Sequence, residues 1–437
     1  MKKLNLFPIL SLGSKEAEEH LRKIKSRGLT LDSQLIAKVT EIVNAVRLEG
    51  DTALIRFTKE FDGVLLTRVK IPKGEIEQAR TNVSERILSI ISEAADNVRK
   101  FHEKQRQNSW IVQQDDGTVL GQRIIPLEKV ALYVPGGTAA YPSTVIMNAV
   151  PALVAGVKEI YVLTPPNKDG TVNHVLATCS VLGIENVYSV GGAQAIAAAA
   201  YGTESVQKVD KIVGPGNVYV AAAKKIVYGD VDIDMIAGPS EVVVLADSTA
   251  EPSEVAADLL AQAEHDPNAA AVLVTTEKNL AQKVQKKIEK LLEDLSRREI
   301  AAESMRRNGA AFVVDKMPDA IALVNEIAPE HLEIVAVNDW EVLSQIRNAG
   351  AVFMGRYSPE AVGDYFAGPS HVLPTGGTAR FSSVLNVDDF VKRSSLIQYS
   401  QKAFERDSKK IQIFAENEGL TAHALSIRVR DKGGRKK

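Results

Sequence analysis

Two short strings of the sequence place a histidine close to a glutamate, and they are its strongest candidates for chemistry. In Ala-Gln-Ala-Glu-His-Asp-Pro, Gln262 and His265 are three residues apart, which on a helix puts two potential metal ligands on one face. In Ala-Pro-Glu-His-Leu-Glu, Glu330 directly precedes His331, and a carboxylate beside an imidazole suits proton transfer. Together the two strings predict a metal-assisted enzyme with its own acid–base pair.

Two further residues could complete a metal site with nitrogen and oxygen ligands. Asp364 lies just before a Gly-Pro turn, and His423 lies near the C-terminus. A set of Gln, His, Asp and His suits Zn²⁺ or a similar first-row ion. Each member also has a simpler interpretation: His265 could interact with a helix dipole, Asp364 could cap a turn and His423 could lie on the surface. One Gln-x-x-His pair is not a specific metal signature, so spacing alone leaves both interpretations open.

Turns rich in glycine and proline mark further candidate binding positions. Tyr133 ends a strand before Val-Pro-Gly-Gly, and Gln194 lies in Gly-Gly-Ala-Gln-Ala-Ile, which opens a helix whose N-terminus could face a phosphate. Ala-Gly-Pro-Ser occurs at 237–240 and at 367–370 beside strand ends, and ligands of open α/β sheets gather at the carboxyl ends of strands. No complete Gly-x-Gly-x-x-Gly motif follows a strand. Sharp turns, or close packing of helix on strand, would therefore also explain these glycines.

The other histidines and the single cysteine offer less. His371 follows the second Gly-Pro-Ser turn and could line a site, but nothing in the sequence gives it a role. We expect His20, His102 and His174 to be exposed because they lie in polar helical contexts. Cys179 lies in an apolar helix without a neighbouring base, so we expect an inert, buried thiol.

The composition excludes several classes of protein. A net charge of −2 over 437 residues argues against a dedicated nucleic-acid binder, which would show a basic face. The single cysteine excludes an intramolecular disulfide and favours a cytosolic protein. A short N-terminal apolar run resembles a signal peptide, but Asn5 and Pro8 interrupt it and no small-residue cleavage site follows. No apolar stretch approaches the roughly 20 residues of a membrane span.

The chain is long enough for two large domains, and its pattern predicts an α/β fold. From residue 130 onward, short β-branched runs alternate with helices, as in parallel sheets that are covered on both faces. The predicted strands are 130–134, 159–163, 186–190, 211–213, 241–245, 270–275, 311–314, 332–337 and 351–353. We expect them to form two doubly wound units that meet near residues 234–240.

The segments outside this alternation are predicted to be helical. Long amphipathic helices are predicted at 32–60 and 73–108, after an N-terminal arm that enters a helix near Ser14. The tail at 383–437 is predicted to be mostly helical. Because it has few core-forming residues, we expect it to pack on a partner surface.

An ordered set of motifs resembles the L-histidinol dehydrogenase family, from about residue 32 to residue 428. The motifs are, in chain order, Tyr133-Val-Pro-Gly-Gly, Val190-Gly-Gly-Ala-Gln-Ala-Ile, Val209-Asp-Lys-Ile-Val-Gly-Pro-Gly-Asn217, Ala237-Gly-Pro-Ser-Glu241, Ala261-Gln-Ala-Glu-His-Asp266, Ala328-Pro-Glu-His-Leu-Glu333, Val362-Gly-Asp-Tyr365 and Glu418 with His423. The ordered set is far more specific than any single member.

The resemblance implies an activity and a fold. The activity is the oxidation of L-histidinol to L-histidine through L-histidinaldehyde, at the end of histidine biosynthesis, by a cytoplasmic homodimer that uses two NAD⁺ and one Zn²⁺ per subunit. The fold would be α/β, with two Rossmann-like domains related to aldehyde dehydrogenases, an N-terminal helical arm and a C-terminal helical tail. The implied parts are an arm at 1–27, a larger α/β domain with the metal and catalytic residues at 28–129 plus 239–382, an inserted NAD-binding α/β domain at 130–238, and a dimerisation tail at 383–437.

The resemblance also implies roles for individual residues. The zinc ligands would be Gln262, His265, Asp364 and His423, and the catalytic pair would be Glu330 and His331. The substrate would contact Ser240, Gln262, His265, His331, Asp364, Glu418 and His423, and NAD⁺ would contact Tyr133, Gln194 and Asn217. In the family, the tail histidine and glutamate come from the partner subunit.

Two other functions remain compatible with the residues alone. In a zinc hydrolase, Glu330 would activate a metal-bound water and no nucleotide would be needed. A small-molecule binding module with two αβ lobes hinged near residue 238 would have no catalytic activity. Absorbance at 340 nm with L-histidinol and NAD⁺ distinguishes all three.

Overall fold

The structure, a computed structural model, describes residues 6–27, 32–136, 141–166 and 172–431. The chain divides into two compact units. The large unit comprises Met1–Gln105 and Leu127–Phe390 and contains two parallel sheets. The small unit comprises Arg106–Pro126 and Val391–Lys437 and contains a three-stranded antiparallel sheet and two helices.

The strands and helices follow in chain order. The strands are β1 (Ile9–Ser11), β2 (Trp110–Gln113), β3 (Val119–Pro126), β4 (Lys129–Tyr133), β5 (Glu159–Thr164), β6 (Asn186–Ser189), β7 (Lys211–Val213), β8 (Asp232–Ile233), β9 (Glu241–Ala246), β10 (Ala270–Thr275), β11 (Ala310–Val313), β12 (His331–Val335), β13 (Ala351–Met354) and β14 (Val391–Gln398). The α-helices are α1 (Lys15–Lys25), α2 (Ser33–Glu49), α3 (Asp51–Phe61), α4 (Lys73–Thr81), α5 (Glu85–His102), α6 (Pro142–Ala155), α7 (Val172–Val181), α8 (Gly192–Tyr201), α9 (Val218–Val227), α10 (Pro252–Ala263), α11 (Lys278–Leu291), α12 (Arg298–Asn308), α13 (Met317–Ile327), α14 (Asp339–Leu343), α15 (Glu360–Tyr365), α16 (Gln401–Asn417) and α17 (Thr421–Asp431).

One parallel sheet has five strands in the order β6-β5-β4-β7-β8. Alternate residues of its central strand face opposite layers, as the two-residue period of a strand requires. Ala131 and Tyr133 pack with α2, α3, α8 and α9, whereas Val130 and Leu132 pack with α4, α6 and α7. The sheet is therefore buried on both faces, which explains why its strands read as continuous apolar runs.

The second parallel sheet has six strands in the order β1-β11-β10-β9-β12-β13. Val242 and Val244 of β9 face α10, α11 and α12, and Val243 faces α1 and α13. The predicted α/β class with two parallel sheets is confirmed. The predicted arm contributes a strand and a helix to this sheet, because β1 pairs with β11 and α1 packs on the α13 face.

The sequence did not reveal where the helices at 32–108 pack. Their apolar stripe at Val39, Ile42, Val43 and Val46 joins the core of the five-stranded sheet, whereas the prediction grouped residues 28–129 with the other sheet. A buried stripe shows that a helix packs but does not show which sheet it packs on. The predicted domain boundaries stay a prediction.

One expectation about secondary structure was wrong, and one strand pairing was missed. Each predicted long helix is broken: Gly50, with φ of 57°, separates α2 from α3, and Ser84 accepts a hydrogen bond from the backbone of Ile87 and begins α5. The tail is mostly helical, as predicted, but it also contains the strand β14, which pairs antiparallel with β3, and β3 also pairs with β2. This sheet was missed because its strands are mostly exposed, and Val391 pairs with a residue as distant in sequence as Pro126.

Within the described ranges, no helix combines the length and the apolar character needed to cross a membrane.

Candidate active site

The predicted catalytic pair lies at the amino end of the six-stranded sheet. His331 is the first residue of β12, and Glu330 precedes it. The turn that leads to them contains Ala328, whose φ of 54° is left-handed. Such a conformation costs roughly 1–3 kcal/mol and tends to occur at functional sites. The Ala-Gly-Pro-Ser turn at 237–240 leads into the neighbouring strand β9, so it lies at an amino end as well and not at the carboxyl end that the pattern suggested.

His331 is positioned as a neutral base. Its side chain is buried, and its Nδ1 lies 3.2 Å from the backbone oxygen of Glu241. A carbonyl oxygen only accepts, so Nδ1 carries the proton and Nε2 presents its lone pair. Nε2 is buried without a hydrogen-bond partner among the described residues, 3.9 Å from Glu360 Oε1 and 4.0 Å from Asp364 Oδ1. Burial lowers the pKa of His331 to about 3, which keeps the ring neutral.

Glu330 belongs to a buried chain of charged groups. Its Oε2 accepts a hydrogen bond of 3.1 Å from the backbone N–H of Glu241 and lies 3.9 Å from Nδ1 of His331. The carboxylate of Glu241 pairs with Arg27, which follows α1. Burial, and then the charge of Glu241, raise the pKa of Glu330 well above its usual range. A carboxylate with such a pKa is a stronger base than an exposed one.

Three of the four predicted metal ligands come together next to His331. Ligand atoms of His265, Asp364 and Glu360 lie within 4.8 Å of one another. Gln262 is buried one turn before His265, with its Nε2 3.2 Å from Nδ1 of that histidine. Burial raises the pKa of Asp364 to about 7 and raises that of Glu360 well above its usual range.

These residues fit a bound cation. The Oε1 atom of Gln262 is buried, and within the described ranges it has no hydrogen-bond partner, so it is free to act as a ligand. Two buried carboxyl groups side by side repel each other when ionised, and a divalent ion between them would remove that repulsion. We call the whole group the histidine–carboxylate cluster, which consists of Gln262, His265, Glu330, His331, Glu360 and Asp364.

Sequence reasoning missed Glu360 and left His371 without a role. Glu360 is four residues before Asp364 on α15, a spacing that puts both on one face, and this was the available signal. Nδ1 of His371 lies 3.9 Å from Asp364 Oδ1, and burial lowers the pKa of His371 to about 4.

His102 was expected to be exposed but is 1% exposed, with Nδ1 2.7 Å from Gln105 Oε1. Its long helix α5 reads as polar although one stripe of it is buried.

The remaining predicted residues of the site, Glu418 and His423, lie on the small unit. Both side chains are exposed, Glu418 at the end of α16 and His423 in the first turn of α17. Their participation in the site therefore stays a prediction.

The three predicted NAD-contacting residues line one cavity of about 780 Å³ at the carboxyl end of the five-stranded sheet. Tyr133 ends β4, Gln194 is in the first turn of α8, and Asn217 is the N-cap of α9. The lining also includes side chains that the sequence did not suggest, Lys38, Glu60, Phe61, Asp62 and Tyr219. This volume is in the range of small-molecule and cofactor sites.

Gln194 is the strongest binding feature of this cavity, which we call the Gln194 cavity. The side chain is 1% exposed, and neither its Oε1 nor its Nε2 has a hydrogen-bond partner in the part of the chain that the structure describes. A buried amide without hydrogen-bond partners costs free energy unless a ligand forms the missing hydrogen bonds. The backbone around it is fixed, since Gly192 has φ of 65° and donates a 3.0 Å hydrogen bond to the hydroxyl of Tyr133. The positive φ of Gly192 is in the left-handed region that L side chains rarely adopt, so this position favours glycine.

Comparison with known proteins gives one consistent result. The histidinol dehydrogenase family model matches residues 25–431. A histidinol dehydrogenase from Clostridium acetobutylicum is 51% identical over 429 residues, which are 98% of this chain and 100% of that relative. One from Halalkalibacterium halodurans is 56% identical over 90% of this chain and 93% of the relative.

A solved structure agrees with the sequence relatives. The crystal structure of histidinol dehydrogenase from Elizabethkingia anophelis is 38% identical, with a TM-score of 0.91 over 98% of this chain and 99% of that chain. The match covers both parallel sheets, and therefore both the histidine–carboxylate cluster and the Gln194 cavity. The chain belongs to the histidinol dehydrogenase family of oxidoreductases.

Proposed function

We propose that this protein oxidises L-histidinol to L-histidine in two steps, with two NAD⁺ and one zinc ion per subunit. The observation that carries the proposal is the unpartnered Nε2 of His331, a neutral base among potential metal ligands. The overall change removes four electrons from one carbon as two hydrides. The alcohol becomes an aldehyde, water adds to the aldehyde, and the hydrate becomes the carboxylate.

His331 takes the proton in both oxidations. Its Nε2 accepts the alcohol proton while the carbon loses a hydride to NAD⁺, and it accepts a hydroxyl proton of the hydrate in the same way later. Nδ1 stays bound to the backbone oxygen of Glu241, which fixes the ring and its tautomer. The carboxyl groups of Glu360 and Asp364 face Nε2, and a negative charge on either would favour the protonated ring that each transfer forms.

Glu330 removes a proton from the water that adds to the aldehyde. The pKa of Glu330 is raised from its usual acidic value, and a general base is most effective when its pKa lies near the operating pH. The hydrogen bond from the backbone N–H of Glu241 holds Oε2 of Glu330 in place.

A zinc ion would be held by Gln262, His265 and Asp364, together with His423 of a second copy. Bound there, it would supply a positive charge that orients the imidazole and amine of the substrate. Ser240 and Glu418 are the proposed additional substrate contacts. The support for Ser240 is that it immediately precedes β9 and hydrogen-bonds to Glu330 of the proposed catalytic pair.

NAD⁺ is proposed to bind in the Gln194 cavity. Gln194 offers an unused donor and an unused acceptor, and Tyr133 and Asn217 line the same space. The N-terminus of α8 begins beside these residues and favours a phosphate group.

No thiol takes part in the proposed reaction. Cys179 is fully buried, and burial raises the pKa of its thiol to about 12. A thiol in that state is neither ionised nor accessible to an aldehyde. The hydrate route through Glu330 and His331 therefore replaces a covalent thiohemiacetal.

The protein is proposed to act as a homodimer whose active sites contain residues of both chains. The small unit carries Glu418 and His423 exposed, and it also exposes several large apolar side chains, namely Trp110, Ile111, Ile397, Ile413, Phe414, Leu425 and Val429. Apolar surface of this extent favours a protein partner. The single, buried Cys179 fits the predicted cytoplasmic location.

The test is NADH formation from L-histidinol and NAD⁺, followed at 340 nm. We expect two NADH per histidinol, L-histidine as the product, and loss of activity after chelation that Zn²⁺ restores. A hydrolase or a binding module would form no NADH, and one NADH per histidinol would contradict the four-electron reaction.

A further inference from the structure

Three separate elements supply the histidine–carboxylate cluster, and something must fix their spacing. Gln262 is on α10, His331 begins β12, and Asp364 is on α15. The chain between these elements is long, so tertiary contacts must set the distances among the ligand atoms. Metal affinity depends strongly on such positioning by groups that are not ligands themselves.

Glu333 ties β12 to α15. It is two residues after His331, so both side chains face the same side of the sheet, opposite to Leu332 and Ile334. Glu333 is 2% exposed, and its Oε1 accepts a 2.7 Å hydrogen bond from the backbone N–H of Glu360. This bond holds the first residue of the helix that carries Asp364.

Asp258 links α10 to the carboxyl group of Glu333. It lies one helical turn before Gln262, on the same face of α10, and its carboxyl group hydrogen-bonds to that of Glu333. Two carboxyl groups can form such a bond only if one of them holds a proton. Burial raises the pKa of both carboxyl groups, so the pair shares one proton at neutral pH.

We propose that Asp258 and Glu333 are a positioning pair that sets the spacing of the metal-binding residues on α10 and α15. The inference rests on the proposed metal site. Its physical basis is that the pair bridges the three elements of the cluster through two hydrogen bonds. Two apolar side chains would fill the same space at a lower desolvation cost. The buried acid pair therefore indicates that directional hydrogen bonds are needed at this position.

The experiment measures Zn²⁺ affinity of the full-length apoprotein by competition with a coloured chelator. In Glu333→Gln the amide oxygen can still accept from Glu360, and the amide N–H can donate to Asp258 without a shared proton. We expect this variant to bind Zn²⁺ as the wild type does. Glu333→Met fills the space without either hydrogen bond, and we expect roughly 10-fold weaker Zn²⁺ binding or more. NAD⁺ affinity should be unchanged in both variants.

Asp247→Ala is the matched control. Asp247 is a half-buried acid just after β9, at the opposite end of the same sheet, and its carboxylate accepts a 2.8 Å hydrogen bond from the backbone N–H of Val337. Its removal should lower the unfolding temperature without changing Zn²⁺ affinity. If Glu333→Met behaves in the same way, the pair is merely structural and the inference is wrong.

The other outcomes are equally decisive. Zn²⁺ binding as weak in Glu333→Gln as in Glu333→Met would also overturn the inference, because the hydrogen bonds would then not matter. If Glu333→Met does not fold, Asp258→Ala, at a half-buried position on α10, is held to the same criteria. A wild-type protein that binds no Zn²⁺ would overturn the proposed metal site itself, whereas tight wild-type binding that Glu333→Met leaves unchanged would overturn only the positioning role.

Discussion

The two parallel sheets of the large unit prepare their sites in different ways. Residues of the Gln194 cavity follow the carboxyl ends of β4, β6 and β7, the usual place for ligands in open α/β sheets. The histidine–carboxylate cluster lies at the amino ends of β9 and β12 instead. The cavity contains a neutral amide with unused hydrogen bonds, whereas the cluster contains ionisable groups with shifted pKa values.

This difference predicts that the cavity serves ligand binding and that the cluster serves chemistry. An unpartnered amide can recognise a ligand without changing its own charge, as binding requires. Groups with strongly shifted pKa values are typical of residues that transfer protons or hold metal ions. We therefore expect substitutions in the cluster to affect catalysis or metal binding and substitutions in the cavity to affect NAD⁺ binding, with little exchange of effects.

The largest effect is expected for His331→Asn. The variant loses the base for both proton transfers, so both oxidations should slow by roughly 10²-fold or more. NAD⁺ affinity, measured by fluorescence titration, should stay as in the wild type because no residue of the cluster lines the Gln194 cavity. A parallel loss of NAD⁺ affinity would contradict the separation of the two regions.

A mixed dimer tests whether the cluster is completed by the small unit of another chain. His265→Asn and His423→Asn should each be inactive or nearly so. In their heterodimer one site carries both defects, and the other draws intact ligands from the two chains. We expect about half of the wild-type activity in the isolated heterodimer with Zn²⁺ present, since one of the two sites is intact. Activity no higher than that of either parent would show that each chain builds its own site.

Glu330→Gln should affect the two oxidation steps to different extents. The amide keeps the shape of the side chain but cannot take a proton from water. Rapid-quench measurements with histidinol and with the aldehyde should show aldehyde oxidation slowed by roughly 10²-fold and alcohol oxidation slowed much less. Equal losses in the two half-reactions would argue that Glu330 and His331 share one role.

The effect of Gln194→Leu should be confined to the cavity. Loss of one or two hydrogen bonds to the nucleotide, each worth about 0.5–1.5 kcal/mol, should raise the KM for NAD⁺ by roughly 2- to 150-fold. Zn²⁺ affinity and the KM for histidinol should not change. The apoprotein should unfold at no lower temperature, because the lost amide atoms have no partner within the described residues. A clear loss of stability would mean that Gln194 has a structural role.

The smallest effect is expected for Cys179→Ser, which lies in neither region. Its thiol is buried in the core of the five-stranded sheet, so a hydroxyl there should cost about 1–3 kcal/mol in the free energy of unfolding. The turnover number should match that of the wild type at a temperature where the variant is folded. Failure to oxidise the aldehyde in a folded variant would restore a covalent mechanism.

Much of the fold could be predicted because local patterns were strong. The strands at 211–213 and 270–275 were predicted with the bounds that the structure shows. The antiparallel sheet of the small unit was missed because its exposed strands lack a buried apolar run. The helix break at Gly50 was also missed, since an isolated glycine does not by itself end a helix.

By itself, the sequence determined the chemistry that is available to this protein. The neighbouring positions of Glu330 and His331, and the three-residue spacing of Gln262 and His265, are properties of the chain that any fold with these local structures retains. The lone Cys179 in an apolar helix likewise pointed to a reaction without thiols before any contact was known.

Only the tertiary structure decided how these residues work. The contact of Nδ1 with the carbonyl of Glu241 leaves Nε2 of His331 as the nitrogen that can accept a proton, and Glu360 and Arg27 joined the site only when distant elements packed together. Burial then shifted the pKa values of His331 and of the carboxyl groups around it, and burial depends on the packing of the whole sheet. Spacing along a chain fixes which side chains share a local face, but the packing of several elements sets the distances and the solvent exposure that control proton transfer.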